Sequence, residues 1–206
     1  CSLLTGVFMG SPLTQAGLLL VNAIGSLVLL IVMLRFLLQL VRADFYNPLS
    51  QMIVKFTNPL LIPLRRVIPG LGGLDMASLV LALAIQYIIM ALILMLAGYG
   101  TGMPFVAMIG WAAVGIIKLL ISIYFWGMLI MVIASWIAPG SYNPALIPIN
   151  QLLEPVIRPV RKIMPDMGGL DLSPLVVILG IQLAEILILY PLKQVLQVPS
   201  GLIMGL

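Results

Sequence analysis

Two segments of one pattern, Pro-Leu-Arg-Arg-Val-Ile-Pro and Pro-Val-Arg-Lys-Ile-Met-Pro, each place two cations between prolines. The residues are Pro63, Arg65, Arg66 and Pro69 in the first segment, and Pro159, Arg161, Lys162 and Pro165 in the second, preceded by Arg158. Guanidinium groups bind phosphate in a bidentate geometry, and anionic lipid headgroups are natural partners for such clusters. The cations are therefore predicted to bind lipid or a protein partner, with simple anchoring of the membrane topology as the alternative.

Other residue types that carry catalysis are scarce. The chain has no His, and its one cysteine is Cys1, which excludes a disulfide framework and a zinc cluster of cysteines. No glycine-rich phosphate loop occurs in the sequence. Asp75 and Asp171 make a poor catalytic constellation without His or metal ligands. A non-enzymatic protein with no metal and no cofactor is expected.

The composition indicates what must position these cations. Of 206 residues, 63% are hydrophobic and 8% are charged, against about 45–50% and about 25% in soluble domains. A globule of this size has too little interior to bury so much apolar surface. The chain is therefore predicted to lie in a membrane.

Four stretches have the roughly 20 apolar residues that a membrane-spanning helix needs. They are residues 15–41, 78–97, 103–138 and 174–198. The third stretch would be about 50 Å long as one helix at about 1.5 Å per residue. We expect it to break or lie flat near Gly110, or to project from the membrane, and place its span at about 111–138.

The sequence also contains an internal repeat with a spacing of 96 residues. The matched residues are Tyr46, Asn47 and Pro48 with Tyr142, Asn143 and Pro144; Gly72, Gly73 and Asp75 with Gly168, Gly169 and Asp171; and Gln86 with Gln182. A tail of residues 1–14 precedes repeat 1 (15–100) and repeat 2 (101–206). Each repeat is a span, a motif loop (42–77 or 139–173) and a second span. The predicted fold is an all-α integral membrane protein, one membrane domain of about four transmembrane helices in two parallel tandem repeats.

Charge predicts the orientation of the repeats. Seven of the ten Lys and Arg residues lie in the motif loops: Arg42, Lys55, Arg65, Arg66, Arg158, Arg161 and Lys162. Segments 1–14 and 98–110 have none. The positive-inside rule therefore predicts that both loops are cytoplasmic and that both termini lie on the outer side.

Each motif loop has the pattern of an interfacial helix. Pro48 suits a first helical turn, because its missing N–H would be unpaired there. Apolar residues then recur at helical spacing, which predicts an amphipathic helix in the headgroup plane. Pro59 and Pro155 are expected to end or kink these helices.

The second half of each loop is predicted to turn back into the membrane. Gly-Gly-Leu-Asp indicates a tight turn, because glycine tolerates positive φ. Ser173 is predicted to cap the last span, with Pro174 as its first residue. Asp75 follows Arg65 by ten residues, as Asp171 follows Arg161, and an ion pair is expected to close each loop.

Polar residues inside the spans also need a reason, because they are costly in lipid. Arg35, Gln86, Gln182 and Glu185 are predicted to form one layer, in which Arg35 meets Gln182 or Glu185. Lys118 is expected to snorkel to the outer interface. Hydrogen bonding between helices, an ion or proton path, and an oligomer contact are the alternative roles of this layer.

Together the quoted motifs resemble the YggT family of integral membrane proteins, whose relatives in Gram-positive bacteria, cyanobacteria and plastids are called YlmG. The chain is similar to the doubled, proteobacterial form over nearly its whole length from about residue 15. Its second copy departs from the first at Ser141 and Asp166, where the first has Phe45 and Gly70. The resemblance implies a bacterial inner-membrane location.

Family membership implies no reaction and therefore no catalytic residues. The family is associated with osmotic or extracytoplasmic stress tolerance, with cell division and nucleoid distribution, and with assembly of membrane cytochrome complexes. Two hypotheses follow. The first is a membrane organisation, assembly or stress-tolerance factor that binds anionic lipids and another membrane protein, or a second copy, but no nucleic acid. The second is an oligomeric ion channel or transporter linked to osmotic adaptation.

Overall fold

The computed structural model describes residues 11–98, 104–137, 143–144, 146–164, 172–199 and 202, and within these ranges the elements are helices. In chain order they are α1 (Pro12–Leu40), α2 (Pro48–Val67), α3 (Met76–Leu96), α4 (Phe105–Ile137), α5 (Leu146–Ile163) and α6 (Ser173–Leu196). Helices α1, α3, α4 and α6 are long and apolar enough to cross a membrane. The predicted all-α class with four spans is confirmed.

The third span differs from expectation. α4 is one continuous helix of 33 residues that passes through Gly110, so the predicted break there is wrong. A single glycine costs only about 1 kcal/mol in a helix, and apolar neighbours on both sides favour continuation. At about 1.5 Å per residue the helix exceeds the roughly 30 Å hydrocarbon layer. Projection from the membrane, the other expectation, stays a prediction.

The motif helices are also longer than predicted. α2 continues through Pro59 and Pro63, and α5 continues through Pro155 and Pro159. Each proline removes one backbone donor, but all four lie on the exposed side of their helices. The helices continue past Pro59 and Pro155, which were expected to end or kink them.

The starts of α2 and α6 follow the predicted signals only in part. Asn47 caps α2 by accepting a hydrogen bond from the Leu49 N–H at 2.9 Å, and Pro48 is the first helical residue, as predicted. Ser173 is not the cap of α6, because it is the first helical residue and Leu172 precedes it without a side-chain cap. The boundary therefore lies one residue earlier than the Ser-Pro pair indicated.

Packing brings both motif helices to the same end of the bundle. Within each repeat the two spans pack together, α1 on α3 and α4 on α6, and α3 packs on α4 to join the repeats. Leu61 of α2 and Leu152 of α5 enter one apolar cluster with buried residues of α1, α3 and α4. The core therefore lies between the spans, beneath the two motif helices. This is the arrangement expected of a parallel repeat.

Candidate headgroup-binding site

The loop of repeat 1 is closed by an ion pair. Nη2 of Arg65 lies 2.5 Å from Oδ2 of Asp75 and donates to Oε1 of Gln39 at 3.0 Å. The Ser78 hydroxyl also donates to Oδ2 of Asp75. Asp75 is buried while Arg65 is about one-third exposed. The predicted pair of Arg65 with Asp75 is thus present, and it holds the end of α2 against the start of α3.

The electrostatics of Asp75 follow from these contacts. Burial by itself would raise the pKa of Asp75. The hydrogen bonds from Arg65 and Ser78, with the positive charge of Arg65, outweigh burial and hold that pKa below its ordinary value. Asp75 is therefore ionised at neutral pH and supplies a fixed negative charge to the loop.

A tight turn makes this pair possible. Gly72 and Gly73 have φ of 60° and 87°, the left-handed region that glycine adopts readily. Leu71 and Leu74 exchange two backbone hydrogen bonds across the turn, at 3.2 and 2.9 Å. The predicted turn is confirmed in repeat 1, where it returns the chain from the end of α2 to Asp75. In repeat 2 the corresponding residues Pro165, Gly168, Gly169 and Asp171 lie outside the described residues, as does Tyr142.

Arg35 lies close to this loop rather than in the predicted layer. Its guanidinium carbon is 4.7 Å from the centre of the Phe45 ring. Arg35 is 9% exposed, and its Nε has no hydrogen-bond partner within the described residues. A desolvated cation–π contact contributes about 2 kcal/mol, less than the several kcal/mol that burying a charge costs. The Phe45 contact alone therefore does not compensate the buried charge.

Repeat 2 presents its cations openly. Arg158, Arg161 and Lys162 are exposed on α5, as Arg66 is on α2. Nη1 of Arg161 lies 3.9 Å from Oε2 of Glu154, and both side chains are about half exposed. Such surface pairs contribute about 0–1 kcal/mol. The cations of α5 are thus more exposed than Arg65, which is bound by Asp75.

Hydrogen bonds join the two motif segments. Nδ2 of Asn47 donates to the Pro144 carbonyl at 2.5 Å. The Asp44 N–H donates to Oε1 of Gln151 at 2.9 Å. Asn47 is buried, so its amide both caps α2 and holds the start of the second motif segment. The two sets of cations therefore belong to one surface.

The polar residues of the spans pair differently from the prediction. Nζ of Lys118 donates to Oε1 of Glu185, between α4 and α6. Arg35 therefore does not meet Glu185, and Lys118 does not snorkel to the interface. Both predictions are wrong, because an ion pair inside the bundle satisfies two charges at once. Sequence spacing placed each residue on its helix but could not place the helices relative to one another.

The two repeated glutamines also differ. Gln86 is 6% exposed and packs on Gly115 of α4, where an added Cβ would lie 2.8 Å from Nε2. Gln182 is exposed on the outer surface of α6. The spans of the two repeats pack together mainly through α3 and α4, so the glutamine of α3 is covered and that of α6 is not. The predicted single layer of four residues is therefore not formed.

A cavity of about 780 Å³ lies between the two repeats, along α1 and α4. Most of its lining is leucine and isoleucine, and its polar members are Asn22, Ser26, Gln86, Lys118 and Ser122. Among the described residues, no group of three or more His, Cys, Asp or Glu side chains could hold a metal ion.

The sequence did not predict the contacts that Gln39, Phe45 and Ser78 make, nor the pairing of Lys118 with Glu185. A comparison of the repeats could have indicated one of these contacts. Arg35 and Phe45 have Met131 and Ser141 as their counterparts, so the two contacting residues differ together. Gln39 and Ser78 carried no comparable signal, since polar residues near span ends are common.

A family model described as CCB3/YggT matches the chain twice, at residues 14–96 and 110–192. The two matches cover both motif loops and most of each span. The chain belongs to the CCB3/YggT family. The family resemblance drawn from the motifs is confirmed, including the doubled form.

Several relatives share most of the length of the chain. It is 50% identical over 190 residues to the uncharacterized protein PA0392 of Pseudomonas aeruginosa, covering 92% of this chain and 96% of that protein. It is 37% identical over 163 residues to the uncharacterized protein YggT of Escherichia coli K12, covering 78% of this chain and 82% of that protein. No solved structure matches the chain.

Proposed function

We propose that this family member is a non-enzymatic factor of the bacterial inner membrane that organises lipid and a partner complex through its motif layer. The motif layer comprises α2, α5 and the segments that join them to the spans. The observation that carries the proposal is that both motif segments form one surface, joined by Asn47 to Pro144 and by Asp44 to Gln151. A role in complex assembly or in osmotic or extracytoplasmic stress tolerance is part of the proposal.

The surface chemistry of the motif layer supports lipid binding. Exposed apolar side chains lie beside the exposed cations: Tyr46, Met52, Phe56, Leu60 and Val67 on repeat 1, and Ile163 on repeat 2. An interfacial helix inserts such side chains at the acyl boundary while its cations stay among headgroups. Each Lys or Arg near an anionic surface contributes about 1 kcal/mol. The six exposed cations of the motif layer, Arg42, Lys55, Arg66, Arg158, Arg161 and Lys162, therefore favour anionic lipid.

The same charge supports the orientation. Most of the cations lie in the motif layer, whereas Lys193 is near the opposite end of α6. We infer from the positive-inside rule that the motif layer is cytoplasmic and that both termini lie outside. Cysteine replacements of Lys162 and Val106 in a Cys1→Ser background test this with a membrane-impermeant maleimide on intact spheroplasts. Labelling of Val106→Cys alone is expected, and labelling of Lys162→Cys alone would reverse the orientation.

Lipid binding is tested by purifying the protein in native lipid discs and measuring the share of anionic lipid. Wild type should be enriched several-fold over the bulk membrane. A variant with Arg66, Arg158, Arg161 and Lys162 changed to Gln should fall towards the bulk composition. Lys193→Gln is the control, because it removes one cation from the other end. Equal enrichment in wild type and the fourfold variant would overturn the lipid part of the proposal.

The same discs test for a partner. Another membrane protein should be recovered with wild type in constant proportion and be reduced with the fourfold variant. Recovery of the protein only as a lone monomer in discs and in mild detergent would count against an assembly role.

A second candidate function, an oligomeric channel or transporter, is favoured by the cavity between α1 and α4. Its polar lining includes Lys118, whose ion pair with Glu185 crosses between spans. Charged residues inside spans commonly mark ion pathways. Flux of K⁺, Na⁺ or H⁺ into proteoliposomes, lost in Lys118→Met, would support this function. Absence of any leak above that of empty liposomes would exclude it.

A further inference from the structure

The buried guanidinium of Arg35 has no matching anion among the described residues. Its Nε is buried without a hydrogen-bond partner, and the described contact of its guanidinium is the face of the Phe45 ring. Buried charges in proteins are normally paired or hydrogen-bonded. Arg35 also lies within a helix that is apolar enough to span a membrane, where an ionisable residue is a functional candidate.

The charges around Arg35 leave a positive excess. Arg65 and Asp75 are both close enough to Arg35 for their charges to act on it. Oδ2 of Asp75 already accepts from Arg65 and from the hydroxyl of Ser78. Arg35, Arg65 and Asp75 therefore form a group of neighbouring charges with one net positive charge. An anion beside Arg35 would be attracted by the charge of both arginines.

The repeat supplies an internal comparison. In repeat 2, Met131 and Ser141 stand where repeat 1 has Arg35 and Phe45, while the sequence has Arg161 and Asp171 where repeat 1 has Arg65 and Asp75. The second copy of the same fold therefore forms its corresponding span, α4, with Met131 in place of the buried arginine. Arg35 and Phe45 differ from repeat 2 as a pair, which indicates a role beyond building the loop.

We propose that Arg35 and Arg65, with Phe45 beneath Arg35, form the binding site for one phosphate group. The site is named the Arg35 site. A guanidinium matches the geometry of phosphate oxygens bidentately, and an aromatic ring holds the guanidinium plane in place. The phosphate belongs to an anionic lipid headgroup or to a free phosphate anion. The Arg35 site uses the headgroup chemistry of the proposed function but none of its exposed cations, so the two can fail separately.

The test uses the full chain in dodecyl maltoside, which contains no phosphate. Phosphatidylglycerol, phosphatidylcholine and inorganic phosphate are added in separate titrations, and bound molecules are counted by native mass spectrometry. Wild type should retain one phosphatidylglycerol at least tenfold more tightly than Arg35→Met, which introduces the residue of repeat 2. Phosphatidylcholine should bind more weakly, because its cation meets the two arginines. Equal retention of phosphatidylglycerol by wild type and Arg35→Met would overturn the proposal.

The inorganic phosphate arm identifies the source of the anion. Binding of one phosphate at millimolar concentration, lost in Arg35→Met, would assign the site to the free anion. Binding of phosphatidylglycerol without binding of phosphate would assign it to the lipid. Lys193→Met is the control for general loss of positive charge and should behave as wild type in both arms.

A stability measurement separates ligand binding from a structural role. Without any phosphate compound, Arg35→Met should unfold at the same temperature as wild type or higher, because it removes an uncompensated buried charge. Added phosphatidylglycerol should raise the unfolding temperature of wild type only. A lower unfolding temperature of Arg35→Met in dodecyl maltoside alone would show that Arg35 is structural and would overturn the proposal.

Phe45→Ser keeps both arginines and is the second test variant, to be used if Arg35→Met does not fold. It should weaken retention of phosphatidylglycerol several-fold, since Arg35 would lose the ring that holds it. Unchanged retention in Phe45→Ser would contradict the site as described.

Discussion

Arg65 in repeat 1 and Arg161 in repeat 2 occupy the same position of one motif but have different surroundings. Arg65 donates to Asp75 and Gln39 and is partly buried, whereas Arg161 is half exposed and lies 3.9 Å from Glu154. The same motif arginine is therefore exposed to a different degree in the two repeats. Repeat 1 supplies Gln39 and Ser78, and repeat 2 has Ser135 and Pro174 in their places.

The difference extends into the spans. Gln86 is covered by α4, while Gln182 is exposed on α6. Lys118 and Glu185 pair within repeat 2, while their counterparts in repeat 1 are the uncharged Asn22 and Ile89. Among the described residues, the least exposed ion pair of repeat 1 lies at the motif layer, and that of repeat 2 lies between its spans. The two halves share a fold but stabilise it in different places.

Removing Asp75 should have the largest effect. Asp75→Asn leaves Arg65 without its carboxylate partner, and breaking a buried pair from one side is strongly destabilising. Because Arg65 is partly exposed, we expect a loss of about 3 kcal/mol in the free energy of unfolding. Glu154→Gln removes the exposed carboxylate beside Arg161 in repeat 2 and should cost less than about 1 kcal/mol. Unfolding in detergent, followed by tryptophan fluorescence, measures both, and equal losses would refute the difference between the repeats.

Breaking the ion pair between Lys118 and Glu185 should have the next largest effect on stability. Lys118→Met and Glu185→Leu should each cost about 2 kcal/mol, and the double variant should recover most of that loss, because no lone charge is left in the bundle. Arg35→Met combined with Glu185→Leu should instead be additive, since these residues do not meet. A double-mutant cycle on the unfolding free energies measures the coupling. Coupling of Arg35 but not Lys118 to Glu185 would contradict the structure.

A methyl group added where α4 packs on α3 should have a smaller effect on stability. Gly115→Ala places a Cβ within contact of the buried Gln86 amide, which must shift at a cost of about 1 kcal/mol. Gly180 on α6 has nothing within 4 Å of an added Cβ. Gly180→Ala should therefore be neutral or slightly stabilising, because alanine is the better helix former. Thermal unfolding compares the two variants, and a larger drop in unfolding temperature for Gly180→Ala would contradict the packing of the repeats through α3 and α4.

Protonation of Asp75 in acid should give the smallest change in stability. Since Arg65 and Ser78 hold the pKa of Asp75 below its ordinary value of 3.8, the folded state keeps Asp75 ionised more readily than the unfolded state. Its contribution to stability is therefore present above pH 3.8 and is lost as pH falls through the lower folded-state pKa. The stability difference between wild type and Asp75→Asn should shrink on going from neutral pH to about pH 3. A constant difference across that range would contradict the assignment.

Much of the architecture could be predicted because it depends on local composition. Apolar stretches long enough to cross lipid predict α1, α3, α4 and α6 directly, since lipid leaves the backbone of a single segment few alternatives to a helix. The repeat placed both motif loops at one end, and the ten-residue spacing with Gly72 and Gly73 predicted the pair of Arg65 and Asp75. Pro59 and Pro155 were expected to end or kink their helices, and the expectation that they end them is wrong.

The sequence by itself determined the membrane environment, the four spans, the duplication and the concentration of charge in the motif loops. Each of these follows from which residues are neighbours in the chain. Tertiary structure alone decided that Arg35 lies against Phe45, that Glu185 pairs with Lys118, and that Gln86 is buried while Gln182 is not. The physical reason is that the depth and facing of a polar group between helices depend on how whole helices pack. The two repeats share a motif but pack on different neighbours, so the motif alone does not predict this packing.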